Sequence, residues 1–174
     1  MKKFRKIAAL AALLVPLGWA QGVAALHPLV PKKGPQVVLE PALVGKWSCN
    51  VEIMSDGKDG YIVKTGDEED GTLRLMRFNG MLLGDWVIGG KTGLRVHVFL
   101  RIEITDDQLR ARTLGSDWMV DQIKTFGFPR YEVLDEKDIS ILLTASTEEL
   151  RRDLISYFCD ERAVNESITL EREK

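Results

Sequence analysis

The chain has 174 residues, 45% of them hydrophobic and 29% charged, with 15 Gly and 6 Pro. This is the size and composition of one soluble domain, and it excludes a collagenous, low-complexity or multi-span membrane protein and a large two-domain enzyme. The formal net charge of −2 leaves no basic footprint for nucleic acid.

Residues 2–6, Lys-Lys-Phe-Arg-Lys, carry four positive charges and no acid. Residues 7–20 are an apolar run of 14, with Gly18 and Ala20 as small residues at the −3 and −1 positions of a cut. Together these features read as a secretory signal peptide over 1–20. The alternative is an uncleaved anchor, but 14 apolar residues fall short of the ~20 that span a bilayer. No Cys near the cut offers a site for a lipid anchor. Cleavage after Ala20 leaves 154 of the 174 residues, with 20 basic and 26 acidic groups, a balance of −6. The expected product is exported, periplasmic or secreted. It has no stable membrane span and is poorly suited to anionic membranes or nucleic acid.

Residues 21–43 contain Pro28, Pro31, Pro35 and Pro41, with Lys32, Lys33 and Gly34 among them. This composition predicts a flexible, extended leader in which His27 is solvated.

Residues 44–174 read as a single β-rich domain. Trp47, Cys49, Val51 and Ile53 alternate with polar residues. Leu94, Val96, Val98, Leu100, Ile102 and Ile104 alternate with Arg95, His97, Phe99, Arg101 and Glu103. Ile139, Ile141 and Leu143, then Ile168 and Leu170, repeat the pattern. A period of two places one row in a core and the other toward solvent or a second layer. Shorter strands are expected at 61–64, 73–78, 83–88, 109–113 and 130–133. Asp56-Gly57, Asp59-Gly60, the acidic loop 66–71, Gly89-Gly90 and Asp106-Asp107 supply the turns. The pattern predicts a mostly β protein, an antiparallel meander forming a barrel or a folded-over sheet.

One helix is expected at 147–158. Ser146 and Glu149 form a capping box, and Leu150, Leu154 and Phe158 make an apolar stripe that packs on the sheet. A second short helix fits Asp117–Lys124, with Ser116 as cap and Trp118, Met119 and Ile123 as core.

Val44-Gly45-Lys46-Trp47, opening the first long strand after the leader, resembles the Gly-x-Trp start of lipocalin-like β-barrels. The resemblance implies that Trp47 closes the barrel floor and that a helix precedes a final short strand, the order read here at 147–158 and 166–172. Three further segments are His97-x-Phe99, Ser116-Asp117-Trp118 and Leu143-Thr144-Ala145-Ser146-Thr147-Glu148-Glu149-Leu150. They are similar to those of a set of small uncharacterised exported bacterial proteins, from which no activity carries over.

Cys49 and Cys159 are the only cysteines, 110 positions apart. In an oxidising compartment they suit a disulfide, which the chain-entropy model values at ~4–5 kcal/mol; the alternative is two separate buried thiols. A metal site is not expected, because the body holds one His and the acidic loop lacks calcium-hand spacing. No Gly-x-Ser-x-Gly elbow occurs, and only His97 could activate a nucleophile. Glu103 and Asp107 could face each other across a turn, as at any hairpin. Asn165-Glu166-Ser167 is a formal sequon. No catalytic residue and no cofactor is therefore assigned, and an enzyme is not expected.

The candidate ligand-binding residues are Trp47, Arg95, His97, Phe99 and Arg101. In one reading His97 and Arg95 line a cavity and meet an anionic head group; in the other their face is simply exposed. The expected function is a non-catalytic module binding a small apolar or amphipathic ligand inside a β-barrel. The rival is a structural or protein-interaction component of the cell envelope with a filled core.

Overall fold

The alternating rows become strands in the computed structural model, which describes residues 23–31, 36–66, 68–89, 95–128, 130–135 and 140–173. The signal expected at 1–20 lies outside them. Apolar residues at every second position need a pleated surface that hides one face, and strands supply it. The central meander is β3 (Gly45–Trp47), β4 (Val51–Ser55), β5 (Tyr61–Thr65), β6 (Glu68–Phe78), β7 (Met81–Gly89), β8 (Arg95–Ile104) and β9 (Gln108–Leu114). Each pairs antiparallel with the next. The last strand, β12 (Val164–Glu171), returns antiparallel to β9.

The structure departs from a purely antiparallel sheet at the N-terminal segment. β1 (Val23–Ala25) inserts between β8, to which it is antiparallel, and β11 (Ser140–Leu143), to which it is parallel. β10 (Tyr131–Asp135) pairs with β11 and forms an edge. β2 (Val37–Val38) pairs with the second half of β6. The described residues thus form one mixed sheet of 12 strands.

The leader read as a spacer over 21–43 is accordingly part of the fold where it is described. Ala25, Leu29 and Leu43 are fully buried. The Glu40 amide donates to the hydroxyl of buried Tyr61, fixing the approach to the Pro41–Leu43 turn. The described residues of this segment find partners in the sheet despite the prolines among them.

Among the described residues two α-helices pack on the sheet. In α1 (Ser116–Phe126), Ser116 is the first helical residue rather than the cap. Gly115 takes the cap position, and Met119 and Ile123 are buried. α2 (Thr147–Leu154) has the expected capping box: the Ser146 amide donates to the Glu149 carboxylate at 2.8 Å, and the Glu149 amide donates to Ser146 Oγ at 3.4 Å. The stripe continues as a 3-10 turn over Ile155–Cys159, where Tyr157 meets Trp118 edge-on with centroids 4.8 Å apart.

The sheet therefore separates two cores. Trp47, Ile53, Leu73, Trp86, Leu100 and Ile102 lie in one; Phe99, Met119, Leu143, Leu150 and Phe158 lie in the other, under the helices. Strand alternation along β8 sends Val96, Val98, Leu100 and Ile102 to the first and Phe99 to the second.

The run Trp47–Ile53 is not a single strand. Cys49 and Asn50 both take left-handed φ values, 63° and 59°, and reverse the chain between β3 and β4. The sheet also bends far enough for its ends to meet. Trp47 forms an isolated antiparallel bridge with Arg172 just beyond β12. The Ser48 amide donates to the Glu171 carbonyl at 2.7 Å, and the Glu173 amide donates to the Lys46 carbonyl at 2.9 Å. No ladder longer than this bridge joins β3 to β12, so the sheet is folded over rather than continuously closed.

Candidate functional site

A cavity of about 480 Å³ sits within the first core. Its walls come from β4 to β9 and from β12, the strands that alternate most regularly. Ile53, Val63, Leu73, Trp86, Leu109 and Leu170 line it and are buried. No charged side chain belongs to the lining among the described residues. The polar lining is confined to Cys49, Asn50 and Thr65 beside Gly66 and the Trp86 indole. Cys49, Asn50 and Gly66 are exposed, so this group marks the opening. The Gly66 amide donates to the Asn50 carbonyl at 2.9 Å and ties the two turns of the rim together. The volume falls within the range of small-molecule pockets, which are mostly apolar with a few placed polar groups.

Trp47 does not line this space but supports it. Its ring is fully buried, and Nε1 donates to the carbonyl of Leu43, itself a lining residue, at 3.0 Å. The Arg172 guanidinium stacks over the ring, 4.2 Å from its centroid. The same guanidinium donates to the carbonyls of Ala42, Val44 and Asp106. A Cβ on Gly45 would stand 2.6 Å from Arg172 Nη1, at a φ of 150°. Both named residues of Gly-x-Trp thus serve one clamp: Gly45 leaves room for the arginine and Trp47 receives it.

The odd-numbered row of β8 faces away from the cavity. Arg95 is exposed, and Phe99 is 2% exposed within the helix-covered core. His97 is half-buried with Nδ1 2.7 Å from Asp85 Oδ1. Asp85 is buried, and its Oδ2 accepts from the amides of Leu29 and Val30 at 2.8 and 3.2 Å. An ionised carboxylate only accepts, so the imidazole donates from Nδ1. Arg101 pairs with Glu161 and Glu103 and borders a separate surface groove with Glu40 and Arg77. Hence none of Trp47, Arg95, His97, Phe99 and Arg101 lines the apolar cavity.

Cys49 and Cys159 are free thiols, both exposed, one at the rim turn and the other ending the 3-10 turn. Neither is among the buried apolar residues of its element, contrary to the strand placement expected for Cys49. Among the described residues no group of three His, Cys, Asp or Glu side chains could hold a metal ion. No described helix is long and apolar enough to cross a membrane. Asp67 of the acidic loop, the side chains of Glu68, Glu69 and Asp70 in that loop, and the side chains of the sequon 165–167 lie outside what is described.

Two contributors were missed in the sequence. Asp85 is a single acid inside the apolar run Met81–Ile88, a pattern that signals a satisfied buried charge. Arg172 lies near the C-terminal end with no local signal; its role appears only when the sheet ends meet. Comparison with protein-family models, characterised proteins and solved structures finds no match to this chain.

Proposed function

We propose that this chain is an exported, non-catalytic carrier that holds a small apolar or amphipathic ligand inside a lipocalin-like barrel. The carrying observation is the 480 Å³ cavity whose described lining holds no charged side chain and opens at a polar, exposed rim. Support for the barrel comes from the Trp47–Arg172 bridge, which brings the two ends of the meander together. An apolar space of this size is held open by its walls and gains free energy when an apolar molecule fills it.

Native mass spectrometry of the protein, gently purified from its own envelope fraction, tests the proposal. Extra mass that disappears on denaturation is the expected result. In parallel, a neutral naphthylamine probe should bind and accept energy from Trp86, and Ala111→Trp, which fills the space, should abolish that uptake without loss of fold. A bare mass, together with probe binding unchanged by Ala111→Trp, would overturn the carrier reading. The rival reading, an interaction component of the cell envelope, is favoured by exposed Phe126 at the end of α1 and exposed Tyr131 and Val133 on the edge strand β10.

A further inference from the structure

We infer that the cavity selects its ligand by shape, taking a compact fused-ring molecule with one polar group in preference to an extended chain of the same atoms. The inference rests on the carrier reading and adds a substrate class to it.

The strands set the dimensions. β4, β5, β8 and β9 are described along their whole length, and each lends the space two side chains, two positions apart. Leu100 and Ile102 are the pair on β8, and Leu109 and Ala111 the pair on β9. Two positions of a strand cover about 7 Å. The next inward positions, Tyr61 on β5 and Val98 on β8, are buried in the same core and outside the lining, so they stop the space along their strands. Tyr61 is held in place, because its hydroxyl accepts from the Glu40 amide. The volume of 480 Å³ is therefore gathered into a rounded space, about 10 Å across when taken as a sphere.

At about 30 Å³ for each water-sized group, this space holds roughly 16 non-hydrogen atoms. A tricyclic skeleton puts that many atoms into one rounded volume. An acyclic chain of equal atom count stretches well beyond it. Such a chain either folds back, freezing many rotatable bonds, or leaves carbons in water. Each methylene left outside forfeits roughly fourfold in binding. A rigid ring system avoids both losses, because it is already in its bound conformation and fits whole. Its polar group then sits at the mouth beside Asn50 and Thr65, while its hydrocarbon meets Leu73 and Trp86.

The test sets cedrol, a tricyclic sesquiterpene alcohol, against farnesol, its acyclic isomer. The formula is the same, and farnesol carries more apolar surface, so burial of area alone ranks farnesol first. Each alcohol is titrated against the neutral naphthylamine probe bound to the full chain. Cedrol should bind at least about tenfold tighter than farnesol. Cedrol should also raise the unfolding temperature of the native chain but not that of Ala111→Trp, in which the space is filled. Farnesol binding as tightly as cedrol, a bound probe that cedrol does not displace, or an undiminished cedrol effect in Ala111→Trp overturns the shape selection while the carrier reading stands. If the probe and both alcohols fail to bind, the carrier reading falls and this inference falls with it.

Discussion

Asp85 Oδ1 and His97 Nδ1 lie 2.7 Å apart on neighbouring strands β7 and β8, on the face opposite the cavity. The same carboxylate holds the amides of Leu29 and Val30, so one buried acid joins the N-terminal segment to the sheet. Asp85→Ala would leave two buried amides and the half-buried His97 ring without their acceptor, a loss of about 3–5 kcal/mol. Asp85→Asn keeps one accepting oxygen and should lose about half as much. Urea unfolding measures both, and hydrogen exchange should show the Leu29 and Val30 amides losing protection first. Equal stability of Asp85→Ala and the native chain would refute this role.

Arg172 performs a comparable task where the ends of the sheet meet. Its guanidinium bonds three carbonyls and covers the Trp47 ring. Arg172→Ala should cost about 2–4 kcal/mol, since bonds to a charged donor contribute about 1.5–3 kcal/mol each and part of that is regained from water. Arg172→Lys should be nearly as damaging, because an ammonium is not a planar fork and cannot reach three separate acceptors while stacking. Denaturant midpoints decide this; full rescue by lysine would show that charge alone matters.

Much of this fold was legible because period two is strong along β8, and because Ser146 and Glu149 mark a helix start with their own side chains. The odd-numbered row of β8 was harder. A row of Arg, His and Phe reads as a ligand-facing wall or a solvated face, and only the distant α1, α2 and residues 29–30 decide what covers it. β1 was invisible for another reason. Val23-Ala24-Ala25 is too short to show a period, and it becomes a strand through backbone pairing to β8 and β11. The cavity itself had no local signal. Val63, Leu109 and Ala111 read as ordinary core residues, and the space between them depends on how the whole sheet bends.

Gly71 should resist any substitution. Its φ is 147°, and a Cβ there would lie 1.9 Å from the Val87 carbonyl oxygen on β7. That oxygen belongs to the backbone and cannot step aside. Gly71→Ala must separate β6 from β7 beside Trp86, so a loss above about 3 kcal/mol is expected. Thermal unfolding reports the loss, and a change smaller than about 1 kcal/mol would contradict the close approach.

Acid should weaken the segment that follows the 3-10 turn. The Arg162 guanidinium, and next its amide, hold the Asp160 carboxyl down from 3.8 to about 2. A group lowered in the folded state supports folding fully above its unfolded value and loses that support as pH falls through about 2. Glu161 is lowered in the same way, by Arg112 first and Arg101 second. Arg101 and Arg112 stand directly opposite each other on β8 and β9, a like-charge pair that Glu161 neutralises. Glu161→Gln should therefore flatten the acid decline and make stability rise with added salt at pH 7. Unfolding midpoints from pH 2 to 7, at two salt concentrations, give the comparison; a variant as acid-sensitive as the native chain would count against the bridge.

The N-terminal segment provides the most direct test of the architecture. Val23, Ala24 and Ala25 pair in parallel with Ile141, Leu142 and Leu143, and Ala24 and Ala25 pair with Val98 and His97. The Leu26 amide adds a bond to the Leu143 carbonyl at 2.9 Å. Removing residues 1–31 would expose two sheet edges and empty the positions of Leu29 and Val30. The truncated chain should fail to fold cooperatively, because fully burying one side chain of this kind contributes about 1.5–3 kcal/mol and typical domain stability is only about 5–15 kcal/mol. A synthetic peptide of residues 21–31 should restore folding in trans by adding the missing strand. The same peptide with Ala25→Arg should not, since Ala25 is fully enclosed. Circular dichroism and peptide titration read both results. A truncated chain that folds unaided would make these residues the loose leader that their prolines suggest.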